Sequence, residues 1–349
     1  MAHQPVGHFY RKKKAMNYYF APMEGLTDSV FRRLHHKYFP GVDRYYMPFL
    51  SPTMHRTLTH KEARELPRAD SVPFTAVPQI LTRVSQDFLW AANVIRDLGY
   101  DEVNLNLGCP SGTVVSKGKG SGMLRDLDAL DAFLYEIFRD CPLPISVKTR
   151  LGLENPEEFP ALLEIFNRYP IQELIIHPRI RKQFYTGGVD EEMFAWALEN
   201  SKNPLCYNGD ILTKAQADAC PTDSVMIGRG LIADPGMLCG GTKPEVLAPF
   251  LEELLATYEQ EFGGSRNAMF RMKEHWGCLH ARFAGSEKLW KKLRKTTDAG
   301  EFKQLSAQII HTLPYKYHTK HAIFSLESGI WRVFDYFLIS FSSLIWACR

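Results

Sequence analysis

No cysteine in this 349-residue chain has a partner at CxxC spacing, and no Cys/His pattern has the spacing of a zinc ligand set. Seven scattered cysteines, an odd number, exclude a disulfide framework and fit a reducing compartment. The expectation is a cytoplasmic protein without a structural metal. No apolar stretch follows Arg11-Lys12-Lys13-Lys14, so no signal peptide is expected. Repeats and low-complexity segments are absent as well. An apolar fraction of 45% and a charged fraction of 23% rule out a disordered or fibrous chain. The longest apolar run, Val333–Cys348, is broken by Asp335 and falls short of the ~20 residues that cross a bilayer. No membrane partner is therefore expected, and the tail is read as poorly ordered, with no function placed on it.

Net charge is also small, +3, and taken alone does not indicate nucleic acid. Its distribution is uneven. Residues 265–322 hold twelve Lys/Arg against four acids, a net +8, which leaves −5 on the rest of the chain. A basic module beside a mildly acidic body suits a polyanionic partner, and a solvated helical surface accounts for it equally well.

Eight short apolar or β-branched runs recur over the first two thirds: 18–21, 44–47, 74–77, 102–105, 145–148, 174–177, 205–208 and 225–228. Between them lie segments with helical apolar spacing, as in 87–98, 127–139 and 157–169. Strands alternating with helices predict a parallel sheet, and eight units in about 220 residues predict a closed (β/α)8 TIM barrel. A doubly wound open sheet is the alternative, but no GxGxxG follows the first strand. The last unit is compressed, with only 212–220 left for its helix. Beyond Pro235 the pattern becomes helical: 246–262, 266–283, 287–294 and 301–312. The expected organisation is a flexible basic leader over 1–16, a barrel over 17–240, an all-helical basic domain over 241–322 and the apolar tail over 323–349.

Nearly every polar or glycine-rich oddity falls just after a predicted strand, which in a barrel is one rim, the face where active sites are built. The features are Pro22-Met23-Glu24, Gln79, the stretch from Asn106 through Cys109 to Gly122, Lys148, His177 to Arg179, Asn208-Gly209-Asp210 and Gly228-Arg229-Gly230. Singly, each has a bland reading: a snorkelling lysine, a core histidine, a turn. Together, the segments after strands seven and eight form the usual phosphate corner of such barrels, with glycines giving backbone access and Arg229 supplying charge. Cys109, framed by Gly108 and Pro110, is a presented thiol. As a proton donor it needs a pKa left near ~8.5 rather than lowered.

Six ordered motifs then carry a family resemblance: APMEGLTD (21–28), NLGCPSGTVVSKGKGSGML (106–124), SVKTRLG (146–152), HPRIRKQFYTGG (177–188), YNGDI (207–211) and MIGRGLIADP (226–235). The chain resembles the tRNA-dihydrouridine synthases from Ala21 to about Phe302. The resemblance implies an FMN enzyme, reduced by NADPH, that saturates the C5–C6 bond of a uridine in tRNA. It implies that Pro22, Met23, Glu24, Gln79, Lys148, His177, Asn208, Gly209, Asp210, Gly228 and Arg229 bind FMN. It further implies that Cys109 is the general acid, that Asn106 contacts the base and that Arg179 lies on the substrate side. A helical RNA-binding domain is implied too, with Lys291, Lys292, Arg294 and Lys295 as its phosphate contacts, in a monomer. One departure is His177-Pro178-Arg179-Ile180, where many members have His-Gly/Ala-Arg-Thr.

Two other functions compete. A small-molecule FMN reductase would use the same phosphate corner but needs no basic helical module. An RNA-binding protein with a dead barrel would not keep Cys109 and Lys148.

Overall fold

The computed structural model describes residues 15–316. Most of the expected leader and all of the expected tail lie outside the described residues.

Nine strands form one sheet: β1 Asn17–Phe20, β2 Arg44–Tyr46, β3 Ala76–Val77, β4 Gln79–Ile80, β5 Val103–Leu107, β6 Ile145–Arg150, β7 Leu174–His177, β8 Leu205–Tyr207 and β9 Ser224–Ile227. Their order is β3-β2-β1-β9-β8-β7-β6-β5-β4, and every neighbouring pair is parallel. The two ends of that order, β3 and β4, are separated by Pro78 alone. The sheet is a nearly closed barrel, as expected. Eight strands were expected and nine are present because Pro78 splits the third. Proline has no N–H to donate to a ladder. Its carbonyl still accepts from Asn104 N–H at 2.8 Å, while Val77 on the other side accepts from Met47 N–H at 2.9 Å. One chain segment thus hands the sheet from the β2 side to the β5 side.

Alternation along each strand sorts side chains into two cores. Val103, Leu105, Leu107 and Val147 join a large cluster with the surrounding helices. Tyr19, Tyr46, Val77, Ile175, Cys206 and Met226 form a separate small cluster that fills the barrel. The helices follow from their sequence pattern. In Ser85–Asp97 the side chains of Phe88, Ala91, Ala92 and Ile95 are all fully buried on one face. Asp126 caps Leu127–Asp140 by accepting from Ala129 N–H at 3.0 Å. The compressed last unit keeps a helix of six residues, Lys214–Ala219.

After the barrel come the helices Pro244–Glu261, Ser265–Leu279, Glu287–Lys295 and Ala299–Thr312. Among the ion pairs that join this region to the barrel, two involve buried carboxylates. Arg271 donates to the Gly25 carbonyl and stands 3.5 Å from buried Asp28. Asp28 itself caps the Ser29–Tyr38 helix through Phe31 N–H at 3.0 Å and accepts from Tyr258 Oη at 3.0 Å. Arg282 pairs with Asp234, both buried, at 3.6 Å. These contacts correct the charge reading. Of the twelve cations counted in 265–322, Arg271 and Arg282 face the barrel, Lys273 is buried against the Thr296 carbonyl, and Lys303 pairs with Glu259 at 2.9 Å. A summed charge does not separate cations that hold helices together from those that face solvent.

Arg271→Ala removes the partner of a buried carboxylate and one anchor of the helical region. It should cost about 1–3 kcal/mol, less than the roughly 3–5 kcal/mol of a fully buried pair, because Arg271 keeps some exposure. Circular dichroism should read this as a Tm lowered by several degrees.

Candidate active site at the barrel mouth

The loop carrying Cys109 is organised by one side chain. Asn106, on β5, accepts from Gly108 N–H at 3.0 Å and from Cys109 N–H at 2.9 Å, both on its Oδ1. Its amide donates to Gln79 Oε1 at 2.7 Å, Gln79 donates to Asn104 Oδ1 at 2.7 Å, and Asn104 donates to Ser146 Oγ at 2.9 Å. This ladder crosses β4, β5 and β6 inside the barrel, with Asn104 opposite Ser146 and Asn106 opposite Lys148 in register. Each amide is oriented by its neighbour, so neither Gln79 nor Asn106 rotates without breaking two bonds. The Cys109 carbonyl is fixed in turn by Ser121 Oγ at 2.8 Å and Ser121 N–H at 3.2 Å. Gly120 closes the loop at φ +57, where an added Cβ would lie 2.9 Å from Cys109 Cβ. Only glycine fits there.

Burial pushes the Cys109 thiol above its ordinary range, and it outweighs the Ser111 backbone N–H and the charges of Arg150 and Lys148, which pull the other way. The group is therefore a neutral thiol near pH 7. Lys148 keeps partial solvent access and no described carboxylate pairs with it; burial first, and then the charge of Arg150, pull its amine down to about 7. His177 is held well below its ordinary value by burial and by Arg150, Lys148, Arg179 and Arg229 around it. The mouth thus gathers four cations about a neutral imidazole.

Asp210 answers two of them. Asp210 accepts from Arg179 at 3.0 Å and from Arg229 at 2.6 Å, both on Oδ1, and binds Arg179 again through Oδ2. Burial alone would raise this carboxyl, but the two arginines hold it below its ordinary range. Asp210 is among the residues expected to bind FMN, and here its ionised carboxylate positions Arg229. Arg179 was expected on the substrate side. It is 1% exposed, and its guanidinium is taken up by Asp210, the Gly187 carbonyl at 2.6 Å and His177 Nε2 at 3.2 Å. It braces the site from behind.

The other predicted positions come together at this rim. Asn208 ties β8 to β9 by donating to the Met226 carbonyl at 2.7 Å. Gly209 leaves room for Tyr207, whose hydroxyl would sit 2.1 Å from an added Cβ. Gly228 faces Met23, with Sδ at 3.2 Å from where a Cβ would lie. Pro22 and Met23 are half-buried there, whereas Glu24 is turned outward and pairs with Lys61 at 2.6 Å. Lys291, Lys292, Arg294 and Lys295 do not belong to this cluster. They are exposed on the Glu287–Lys295 helix, where only Leu293 is buried.

Two residues of the site escape the sequence reading. Arg150, two positions after Lys148 on the same face of β6, donates to the Gly108 carbonyl at 2.9 Å and to the Ile180 carbonyl at 3.1 Å. Its guanidinium lies 5.3 Å from the Tyr185 ring, and that of Arg229 lies 5.2 Å from it. The period-two alternation of a strand points to Arg150; nothing in local pattern points to Tyr185, whose place depends on the fold of its loop.

The family profile described as "Dihydrouridine synthase (Dus)" matches residues 19–312. The chain belongs to this family. It is 30% identical to a probable tRNA-dihydrouridine synthase of Rhizobium leguminosarum bv. phaseoli, over 77% of this chain and 87% of that protein. It is 28% identical to probable tRNA-dihydrouridine synthase 1 of Synechocystis sp., over 84% and 86%. With tRNA-dihydrouridine synthase B of Pasteurella multocida it shares 27% identity over 79% and 81%. Among the described residues of this dihydrouridine synthase family member, no group of three or more His, Cys, Asp or Glu is placed to hold a metal, and no helix is long and apolar enough to cross a membrane.

Lys148 binds fewer protons folded than unfolded, so its burial works against stability below its unfolded pKa. Lys148→Met should raise the Tm of the ligand-free protein by at least about 2–4 °C, the shift expected per kcal/mol in a chain this size. The gain should be full below pH 7, where both states carry the charge, and should fade as pH rises toward 10.5, where neither does. Thermal scans at pH ~6.5 and ~9.5 read the sign directly.

Proposed function

We propose that this protein reduces the C5–C6 bond of a uridine in tRNA, with FMN as cofactor and NADPH as reductant. The observation that carries this reading is a neutral thiol, locked by Asn106 in a rigid loop beside Lys148, on a rim that gathers cations. The residues present fit an anionic flavin. Arg229, aimed by Asp210, meets the phosphate together with the glycine-lined turns at Asn208-Gly209 and Gly228. Lys148, with no carboxylate partner among the described residues, meets the polar edge of the ring, where negative charge restores its proton affinity. His177, Gln79, Pro22 and Met23 complete the lining; Glu24 contributes backbone only, since its side chain turns away.

FMN supplies, when bound, the hydride that uracil C6 receives. The remaining chemistry belongs to the chain. Hydride at C6 leaves charge toward C5 and O4, and Cys109 donates its proton to C5 as that charge builds. A thiol kept neutral by burial serves this step, whereas a thiolate does not. Arg150 and Lys148 lie close enough to stabilise the thiolate left behind until it is reprotonated. Because the base must reach a recessed mouth, it leaves its stack at a cost of a few kcal/mol. Phosphate contacts offset that cost, and the exposed Lys291, Lys292, Arg294 and Lys295 supply them on the helical region.

Cys109→Ala should accept reducing equivalents from NADPH normally while reducing tRNA ~10²–10⁴-fold more slowly, the usual loss for a general acid. In the native protein, tRNA reduction should fall as pH climbs through the raised thiol pKa, because the donor form is lost. Stopped-flow measurement of the two half-reactions separates them; equal losses in both would remove Cys109 from the proton-donor role.

Reversing Lys291, Lys292, Arg294 and Lys295 to glutamate should raise KM for tRNA and flatten its salt dependence, leaving flavin content unchanged. Unaltered tRNA affinity at low salt would reduce that helix face to a solubilising surface.

A further inference from the structure

The rim of the barrel opposite the Arg229 corner carries a second set of cations. The loops after β2, β4 and β5 are tied into one unit there. Ser51 Oγ donates to the Leu81 carbonyl at 3.2 Å, Arg56 pairs with Asp87 at 3.2 Å, and Lys119 Nζ donates to Ser51 Oγ at 3.1 Å. Gly118 lies against Arg83, with Cδ 3.3 Å from where a Cβ would stand.

Within this unit Arg56 has an acid partner, but Arg83, Lys117 and Lys119 pair with no acid among the described residues. The three crowd one another. Burial and then the charge of Lys117 hold the Lys119 amine below its ordinary value, with Arg83 adding to the effect against the opposing pull of Asp87. Like charges packed together with no acid paired to them are stabilised by a bound polyanion. The same unit exposes two large apolar side chains, Met54 at 88% and Val84 at 44%, which are rare on the described surface. The cations suit a strand's phosphates, and the exposed aliphatic side chains of Met54 and Val84 offer apolar contact to bases that have left their stack. Position adds to this. Gly120, which ends the Lys117–Lys119 turn, is packed on Cys109 itself.

We propose that Arg83, Lys117, Lys119, Met54 and Val84 form a docking surface for the single-stranded RNA that flanks the uridine entering the mouth. Cations of the loops neutralise its phosphates, and Met54 and Val84 cover its bases. This rests on the tRNA reading above and extends it: the RNA is gripped on both sides of the mouth, by the helical region and by this rim.

Two variants test it in the full-length protein. Arg83→Glu/Lys117→Glu alters only exposed side chains. It should raise KM for tRNA at least tenfold and lower the log–log salt slope of tRNA binding by about 2, one for each phosphate left without its cation. Met54→Ala should weaken tRNA binding several-fold with the salt slope unchanged, a split that a purely electrostatic surface does not produce. Flavin content and NADPH oxidation should stay at native values in both. Native tRNA affinity in the charge-reversal variant at low salt would overturn the proposal. So would a raised KM for NADPH with intact RNA binding, which would make the dinucleotide phosphate the occupant. A native protein that forms no dihydrouridine in tRNA would sink the functional reading instead, and gel shifts with a uridine-rich single-stranded oligonucleotide would still decide the docking surface on their own.

Discussion

Everything chemical at this barrel mouth depends on one oxygen, Asn106 Oδ1, which accepts the N–H groups of both Gly108 and Cys109. A loop held by backbone contacts alone could carry the thiol in several orientations. With two successive N–H groups pointed at one acceptor, the chain has one way to turn. The acceptor is held because Gln79 accepts from its amide, and Gln79 is held by Asn104 and Asn104 by Ser146. A buried amide that lacked a partner would cost a large part of a hydrogen bond, about 1–3 kcal/mol. The ladder therefore turns local satisfaction into directional order, from the barrel core to the reactive rim. Asn106 was expected to meet the base. Three of its hydrogen-bonding positions are committed to Gln79, Gly108 and Cys109, so it also places the thiol.

A second constraint is electrostatic. Lys148, Arg150, Arg179 and Arg229 surround His177, and Asp210 bonds two of them, Arg179 and Arg229. Such clustering destabilises an empty site, and the depressed Lys148 amine is its visible consequence. Functional sites commonly keep such strain, because the ligand's charge relieves it. Asp210 divides the cations by role: Arg179 is consumed behind the site, and Arg229 is held at its edge.

How much of this was legible in sequence follows from which interactions are local. The strands were legible because apolar runs separated by helical spacing have few architectures open to them. The rim was legible because a parallel barrel sends every strand's C-terminal end to one face. The Pro78 break was available in principle, since a residue without an N–H cannot sit inside a ladder. What could not be read was partnership. Asp210 reads as a turn residue beside the phosphate corner until the structure shows its carboxylate bonded to two arginines. Arg179 looks like a rim residue until its 1% exposure is known. The basic count over 265–322 is correct as a sum, yet it merges cations clamped on Asp28 and Asp234 with those facing solvent.

Those clamps also connect stability to function. Arg271 bonds the Gly25 carbonyl and pairs with Asp28, within the APMEGLTD segment whose Met23 packs at the barrel's mouth. Asp28 in turn caps the helix that follows, and Tyr258 from the helical region bonds the same carboxylate. The first βα loop is therefore shaped from both sides, by the barrel and by the helices. A helical region attached only through surface contacts would be free to shift relative to the thiol. Anchored at the loops after β1 and β9, it keeps the exposed cations of the Glu287–Lys295 helix at a fixed distance from Cys109. The proposed tRNA substrate would require this, since its phosphates and its reacting base belong to one folded molecule and would have to be met together.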